Sequence, residues 1–249
     1  MTNIPKMVFI VPYRDRELQK TFFLNHMTRT ILVDMPEDSY KIFFVHQQDT
    51  RTFNRGAMKN IGFLVVKELY PDDYQNITII FNDIDTMPYI KDFLSYETKK
   101  GTIKHFYGFL FTLGGIVSIN AEDFETLGGF PNCWSWGYED NELQRRTKLH
   151  HDIEIDRTVF YPIMSKEIIH LQDGFKRDIN VSEKKRYDWK TTEGFADISD
   201  LNYTIENHMI QVTNFKTMYE ENIHAKSTHD LRESNRPFTN KKRMEMKLV

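Results

Sequence analysis

The first 83 residues alternate between two hydrophobic rhythms, and few architectures accommodate that. Apolar runs "KMVFIVPY" (6–13), "YKIFFVHQ" (40–47) and "NITIIFND" (76–83) are separated by "RELQKTFFLNHMTRTILVDM" (16–35) and "RGAMKNIGFLVVKELY" (55–70). Short continuous apolar runs read as buried strands, whereas the intervening stretches repeat at helical spacing, the second stopping before Pro71. Strand, helix, strand, helix, strand in this order requires crossover connections, hence an α/β fold with parallel strands. Ligands of such sheets gather at the carboxyl ends of the strands. "FNDIDTMP" (81–88) places Asp83 and Asp85 at such an end.

After Pro88 the pattern becomes mixed. A short helix is expected around "YIKDFLSY" (89–96), then strands in "TIKHFYGF" (102–109) and "GGIVSIN" (114–120). Asn120 suits a helix cap, with Asp123 three residues on. Gly114-Gly115 and Gly128-Gly129 permit tight turns or close backbone approach. Weak strands follow in "LNYTI" (201–205) and "HMIQVTNF" (208–215), and the charged stretch from Ser227 reads as a loosely held tail. No repeat or linker divides the chain, so one continuous domain is expected over 1–225, with a charged tail over 226–249.

Composition mainly excludes. A net charge of -3 gives no electrostatic reason for nucleic acid or anionic membrane as partner. The short basic run "NKKRMEMK" near the C-terminus is the only support for a nucleic-acid binder. Cys133 is the single cysteine, so no intrachain disulfide forms. The N-terminal apolar run is too short to span a membrane and lacks a signal-peptide cleavage pattern.

Four stretches carry candidate chemistry. If the strand continued through them, Asp83 and Asp85 would share a face, and paired carboxylates suit a hard divalent cation completed by substrate phosphate. An ordinary solvated turn is the competing reading. "GGFPNCWSWGYEDNELQRR" (128–146) sets Trp134 and Trp136 beside glycines and before Glu139 and Asp140. Aromatic faces next to carboxylates suit a sugar, although acidic residues in a first helical turn also serve the helix dipole. Arg14 and Arg16 in "VPYRDRE" (11–17) are phosphate or nucleobase partners, or simply helix-entry charges paired with Asp15 and Glu17. His170 in "EIIHLQD" (167–173) gains interest only if the fold brings it to Asp85.

In order, these stretches resemble the β-1,4-galactosyltransferase family, glycosyltransferase family 7. "VPYRDRE" is similar to its P-[FY]-R-x-R segment, "FNRGAMKNIGF" to F-N-R-x-x-x-x-N-x-G-F, and "FNDIDTMP" to F-x-D-x-D-x-x-P. "GGIVSINAEDFETLGGFPNCWSWGYEDNELQRR" (114–146) resembles the family's long glycine-to-acidic segment. The likeness runs from about Val11 to Tyr203. It implies a GT-A type fold, a Rossmann-like mixed sheet flanked by helices, with a nucleotide-binding half over 1–88 and an acceptor-binding half over 89–225. It also implies inverting transfer of galactose from a UDP-sugar to a glycan acceptor, dependent on Mn2+, with Mg2+ as alternative. By position, Pro12, Arg14, Arg16, Phe53, Arg55, Asp83, Gly115 and Trp136 would contact the donor. Trp136, Gly137, Glu139 and Asp140 would hold the acceptor, Asp140 would be the catalytic base, and Asp85 and His170 would bind the metal.

Departures from the pattern shape the expectations. Glu167 and Gln172 stand where the family has a further methionine or histidine metal ligand, which favours a harder cation held more weakly. Asn141 replaces an acidic residue and Ser135 a glycine among the acceptor contacts. Thr112 stands where galactose-specific members carry tyrosine, leaving room for N-acetylgalactosamine in the donor. Rival readings are transfer of glucose or xylose, and an inactive sugar-binding relative. A full-length chain without an anchor would be cytoplasmic; a trimmed piece would belong to the Golgi lumen.

Overall fold

A computed structural model describes residues 3–172, 174–188 and 190–233. Strand β1 (Met7–Tyr13) is buried along its whole length and lies in the middle of the sheet. Helix α1 (Glu17–His26), prolonged by a π-helical turn over Met27–Ile31, leads to β2 (Tyr40–Gln47), and α2 (Arg55–Leu69) leads to β3 (Thr78–Asn82). Both β2 and β3 pair with β1 in parallel, as two crossover connections require. Alternation along β1 explains why its run is apolar throughout. Val8 and Ile10 join one core with α2, while Met7, Phe9 and Val11 join the other beneath α1.

Beyond β3 the chain forms β4 (Thr86–Pro88), β5 (Thr102–Gly108), β6 (Ile116–Asn120), α3 (Ala121–Thr126) and α4 (Glu139–Leu149). Then come β7 (Glu154–Asp156), β8 (Tyr161–Pro162), β9 (Ile168–His170), β10 (Lys176–Asn180), α5 (Val181–Asp188), β11 (Ser199–Glu206), β12 (Met209–Lys216) and β13 (Lys226–Asp230). The main sheet runs β11-β12-β2-β1-β3-β6-β5-β7, with β8 also on β5, and β6 is antiparallel to both its neighbours. Two small ribbons, β4-β9 and β10-β13, stand apart from it. The result is a mixed α/β sheet flanked by helices.

Three local expectations change. Residues 89–96 form turns rather than a helix, because Leu94 and Tyr96 are drawn into the core below β1 while Tyr89 and Ile90 stay exposed. Asn120 does cap α3, accepting from the Glu122 amide at 3.1 Å, but Asp123 accepts from the Gly101 amide at 2.7 Å instead of closing a capping box. The stretch expected to be a loose tail opens with β13, antiparallel to β10. Residues 234–249 lie outside the described residues. Among the described residues, no helix is long and apolar enough to cross a membrane.

Candidate active site

The carboxyl ends of β1, β2 and β3 open into a cavity of about 490 Å³. Pro12, Arg14 and Arg16 reach it from β1, Thr52, Phe53 and Arg55 from the entry to α2, and Asp83 and Asp85 from the turn after β3. Trp136 and Glu139 close it from the entry to α4, and Lys176, Arg177 and Asp178 from β10.

Buried amides set these pieces in place. Gln47, at the end of β2, donates to Asp49 Oδ1 at 2.7 Å and to the Thr52 carbonyl at 3.2 Å, and accepts from the Asn54 amide at 2.8 Å. Asn54 caps α2 by accepting from the Ala57 amide at 2.9 Å, and its own Nδ2 donates to the Asn132 carbonyl at 3.0 Å. Six residues on, Asn60 donates to the Phe130 carbonyl at 2.7 Å and accepts from the Phe130 amide at 2.9 Å. Side chains of α2 therefore hold the loop that carries Trp136 and Glu139.

Arg55 is the electrostatic hub. Its Nη1 donates to Asp83 Oδ1 at 2.8 Å, its Nε to Glu139 Oε1 at 2.7 Å, and its Nη2 to Asp140 Oδ2. The planar guanidinium fork suits three acceptors where an ammonium would not. Lys59, buried one turn further along α2, donates to the other Asp140 oxygen at 2.7 Å. Burial acts to raise the Asp140 carboxyl, but Arg55 and Lys59 outweigh it and hold the group below its ordinary value. Burial and the neighbouring Asp140 instead push Glu139 up against the pull of Arg55, and Glu139 Oε2 has no hydrogen-bond partner among the described residues. At Gly114 an added Cβ would lie 2.1 Å from Asp140 Oδ2, so only glycine admits the carboxylate there.

The strand does not continue through Asp83 and Asp85, although both side chains still line the cavity. β3 ends at Asn82, whose Nδ2 donates to the Asp83 and Thr86 carbonyls and so turns the chain. Asp83 faces Arg55, and Asp85 lies 3.6 Å from Arg16. Burial, then repulsion from Asp83, raises the Asp85 carboxyl against the opposing charge of Arg16. His170 is brought alongside: β4 pairs with β9 in the register Thr86↔His170, and the Leu171 amide donates to the Asp85 carbonyl at 2.8 Å.

A metal bound here would draw on Asp85 and His170, the two expected ligands that the β4-β9 ribbon sets on neighbouring segments. The His170 nitrogens lie 3.2 Å from the Tyr107 hydroxyl and 3.1 Å from the Ser165 carbonyl. Glu167 is bound by the Ser165 hydroxyl, and Gln172 donates to Met164 Sδ at 3.2 Å. Among the described residues no three His, Cys, Asp or Glu groups cluster as metal ligands. One carboxylate oxygen and one imidazole nitrogen fit a hard divalent cation whose remaining positions would be filled by other oxygen donors.

The two tryptophans separate. Trp134 is core: it stacks on Phe215, lies under Arg51 and donates to the Tyr219 carbonyl at 2.9 Å, so its place in the sequence reflects packing. Trp136 is half-buried and lines the cavity. Arg14 is anchored on the Asp49 and Arg51 carbonyls and lies over Phe53. Gly115 takes φ +80 and its carbonyl accepts from the Asp83 amide at 3.0 Å, so it braces the acidic turn. Gly137 follows Trp136 with open space around it. Ser135 is buried, its hydroxyl accepting from the Asn180 amide at 2.9 Å, and Asn141 donates to the Phe111 carbonyl at 3.3 Å. Thr112 is buried, its hydroxyl donating to the Phe109 carbonyl at 3.3 Å.

Sequence reasoning missed Lys59, although a lysine inside the apolar face of "AMKNIGF" was a signal in itself. It also missed Lys176, Arg177 and Asp178, and His105, which is buried with Nδ1 accepting from Arg157 at 2.9 Å and Nε2 directed at the Gly114 carbonyl at 3.0 Å. Burial and Arg157 push that imidazole down to about 4, so it holds the Gly114 turn as a neutral donor.

Two family models match in succession, the N-terminal region of glycosyl transferase group 7 over residues 2–99 and the N-terminal domain of galactosyltransferase over residues 100–171. Beta-1,4-galactosyltransferase 4 of Cricetulus griseus is 30% identical over 159 residues, 59% of this chain and 44% of that protein. The xylosylprotein 4-beta-galactosyltransferase of Caenorhabditis elegans is 25% identical over 224 residues, 84% of this chain and 74% of that protein. The chain thus spans less than half the length of the first of these relatives. The catalytic domain of Drosophila beta-1,4-galactosyltransferase 7, solved with xylobiose, superposes with a TM-score of 0.63 at 20% identity, covering 87% of this chain and 95% of that one. A mutant of the same enzyme, in complex with manganese, UDP-Gal and xylobiose, gives a TM-score of 0.62.

Proposed function

The chain belongs to the glycosyl transferase group 7 family, and from that premise we propose that it transfers galactose or N-acetylgalactosamine from a UDP-sugar to a glycan hydroxyl with inversion. The Arg55 hub supports this reading most strongly. One guanidinium joins Asp83, on the donor side of the cavity, to Glu139 and Asp140 on the α4 side, so both substrates meet over it. The relative whose structure holds manganese and UDP-Gal shares the fold that builds this cavity.

In this reading Arg14 and Phe53 receive the nucleotide, Arg16 and Asp83 the rest of the donor, and Trp136 covers the sugar. Glu139 Oε2, a buried acceptor without a partner among the described residues, takes a hydrogen bond from an acceptor hydroxyl. Asp140 stays ionised in a mostly buried place because Arg55 and Lys59 flank it. As the acceptor oxygen attacks the anomeric carbon, the bond to the diphosphate breaks and the hydroxyl proton passes to an Asp140 oxygen. A divalent cation, held by Asp85 and His170, would offset the charge developing on the departing diphosphate.

The test is UDP release from a panel of UDP-sugars with Mn2+, Mg2+ or EDTA, using the parent and Asp85→Ala. Metal-dependent turnover of one sugar, abolished by EDTA and by the substitution, is expected and names the donor. No turnover, together with no stabilisation by UDP, would overturn the proposal in favour of an inactive relative.

A further inference from the structure

A nucleoside diphosphate brings concentrated negative charge, and five cationic residues line the cavity: Arg14, Arg16, Arg55, Lys176 and Arg177. Four are engaged. Arg14 donates to two backbone carbonyls, Arg16 pairs with Asp85, and Arg55 is divided among three carboxylates. Arg177 donates to the Gly174 carbonyl at 3.2 Å. Lys176 alone of the five makes no side-chain hydrogen bond or ion pair among the described residues; the charge it feels is that of Asp230, its cross-strand neighbour on β13.

The strand that carries Lys176 is well fixed. β10 pairs with β13 in the register Lys176↔Asp230 to Asn180↔Lys226, and Lys226 Nζ lies 3.0 Å from Asp178 Oδ2. The Leu231 amide donates to the Phe175 carbonyl at 2.9 Å, and the Trp136 amide donates to the Asp178 carbonyl at 2.7 Å. An exposed ammonium is thereby delivered on a braced backbone to the wall of the cavity that the three parallel strands do not supply.

We propose that Lys176 is a further donor-binding residue whose ammonium holds the diphosphate of the nucleotide sugar, and that β13 serves to keep it there. This rests on the UDP-sugar reading above. A lysine binds phosphate as a point charge on a flexible stem, so it can follow the diphosphate as the sugar bond breaks and charge on the leaving oxygen grows. It also gives β13 a use: without that strand, β10 would lose the ladder that sets the position of Lys176.

The experiment is calorimetric titration of uridine, UMP and UDP, in the presence of Mn2+, into the parent, Lys176→Gln and Lys176→Arg. Lys176 is exposed, so both variants should melt with the parent. Lys176→Gln is expected to weaken UDP about 5- to 20-fold and uridine by less than about twofold, with Lys176→Arg near the parent. An unchanged UDP affinity in Lys176→Gln, or an equal loss for uridine, would overturn the inference while leaving the UDP-sugar reading intact. A parent that binds no UDP would overturn both.

Discussion

Replacing Lys59 with methionine keeps the bulk of the side chain but removes a buried cation from Asp140. Lys59 is 1% exposed, and its Nζ lies 2.7 Å from Asp140 Oδ1 and 4.4 Å from the centre of the Phe130 ring. Stripping one partner from a buried ion pair costs about 3–5 kcal/mol because the remaining charge is left in a poor solvent. Arg55 still holds the other oxygen and the Asp140 side chain is 15% exposed, so a cost at or below the bottom of that range, about 2–3 kcal/mol, applies here. For a domain of this size that is a fall in Tm of about 4–12 °C. The pH dependence follows from the sign. A carboxyl held below its ordinary value stabilises the fold above the unfolded value, near 3.9, and loses that contribution as pH falls through the folded one. The Lys59→Met deficit should therefore be full at pH 7 and shrink below about pH 4. Urea unfolding of Lys59→Met, Asp140→Asn and the double variant measures it. Adding Asp140→Asn should recover most of the loss, since no uncompensated charge remains. A double variant whose losses simply add would refute the argument.

Gly114→Ala places a Cβ 2.1 Å from Asp140 Oδ2, so the carboxylate must move; transfer should drop about 100-fold while the protein still folds, measured by initial rates beside circular dichroism. Glu193 is buried against Arg186, at 3.0 Å, and Asn132, and burial raises its carboxyl to about 7. A raised carboxyl binds more protons folded than unfolded, so stability is greatest below about 4.5 and falls as pH rises to about 7. Glu193→Gln should flatten that slope in melting curves from pH 4.5 to 7.5; an unchanged slope would assign it elsewhere.

Most of the fold could be read from the chain because the covered sheet imposes continuous apolar strands. Val8, Phe9 and Ile10 must face alternate cores, and no helix would satisfy both. Topology pointed to the cavity through Arg14, Asp83 and Asp85, which stand just past the carboxyl ends of strands, whereas Phe53 and Arg55 were named only by the family resemblance. Contacts between distant segments were not legible. Nothing local says that Arg55 reaches forward 84 residues to Glu139, or that Trp134 packs inward while Trp136, two residues on, lines the cavity. Lys176 was invisible because its role depends on β13, a charged segment without strand-like patterning. The turn at Asp83 escaped because Asn82, inside an apolar run, bends the chain through its side-chain amide.

The most direct test of the account is the initial rate of sugar transfer by Asp140→Asn against the parent, at saturating UDP-sugar and Mn2+, with unfolding curves confirming that the variant is folded. The account predicts a loss of about 100- to 10,000-fold in kcat, because an amide accepts no proton. A folded Asp140→Asn protein that kept most of the parent rate would contradict it.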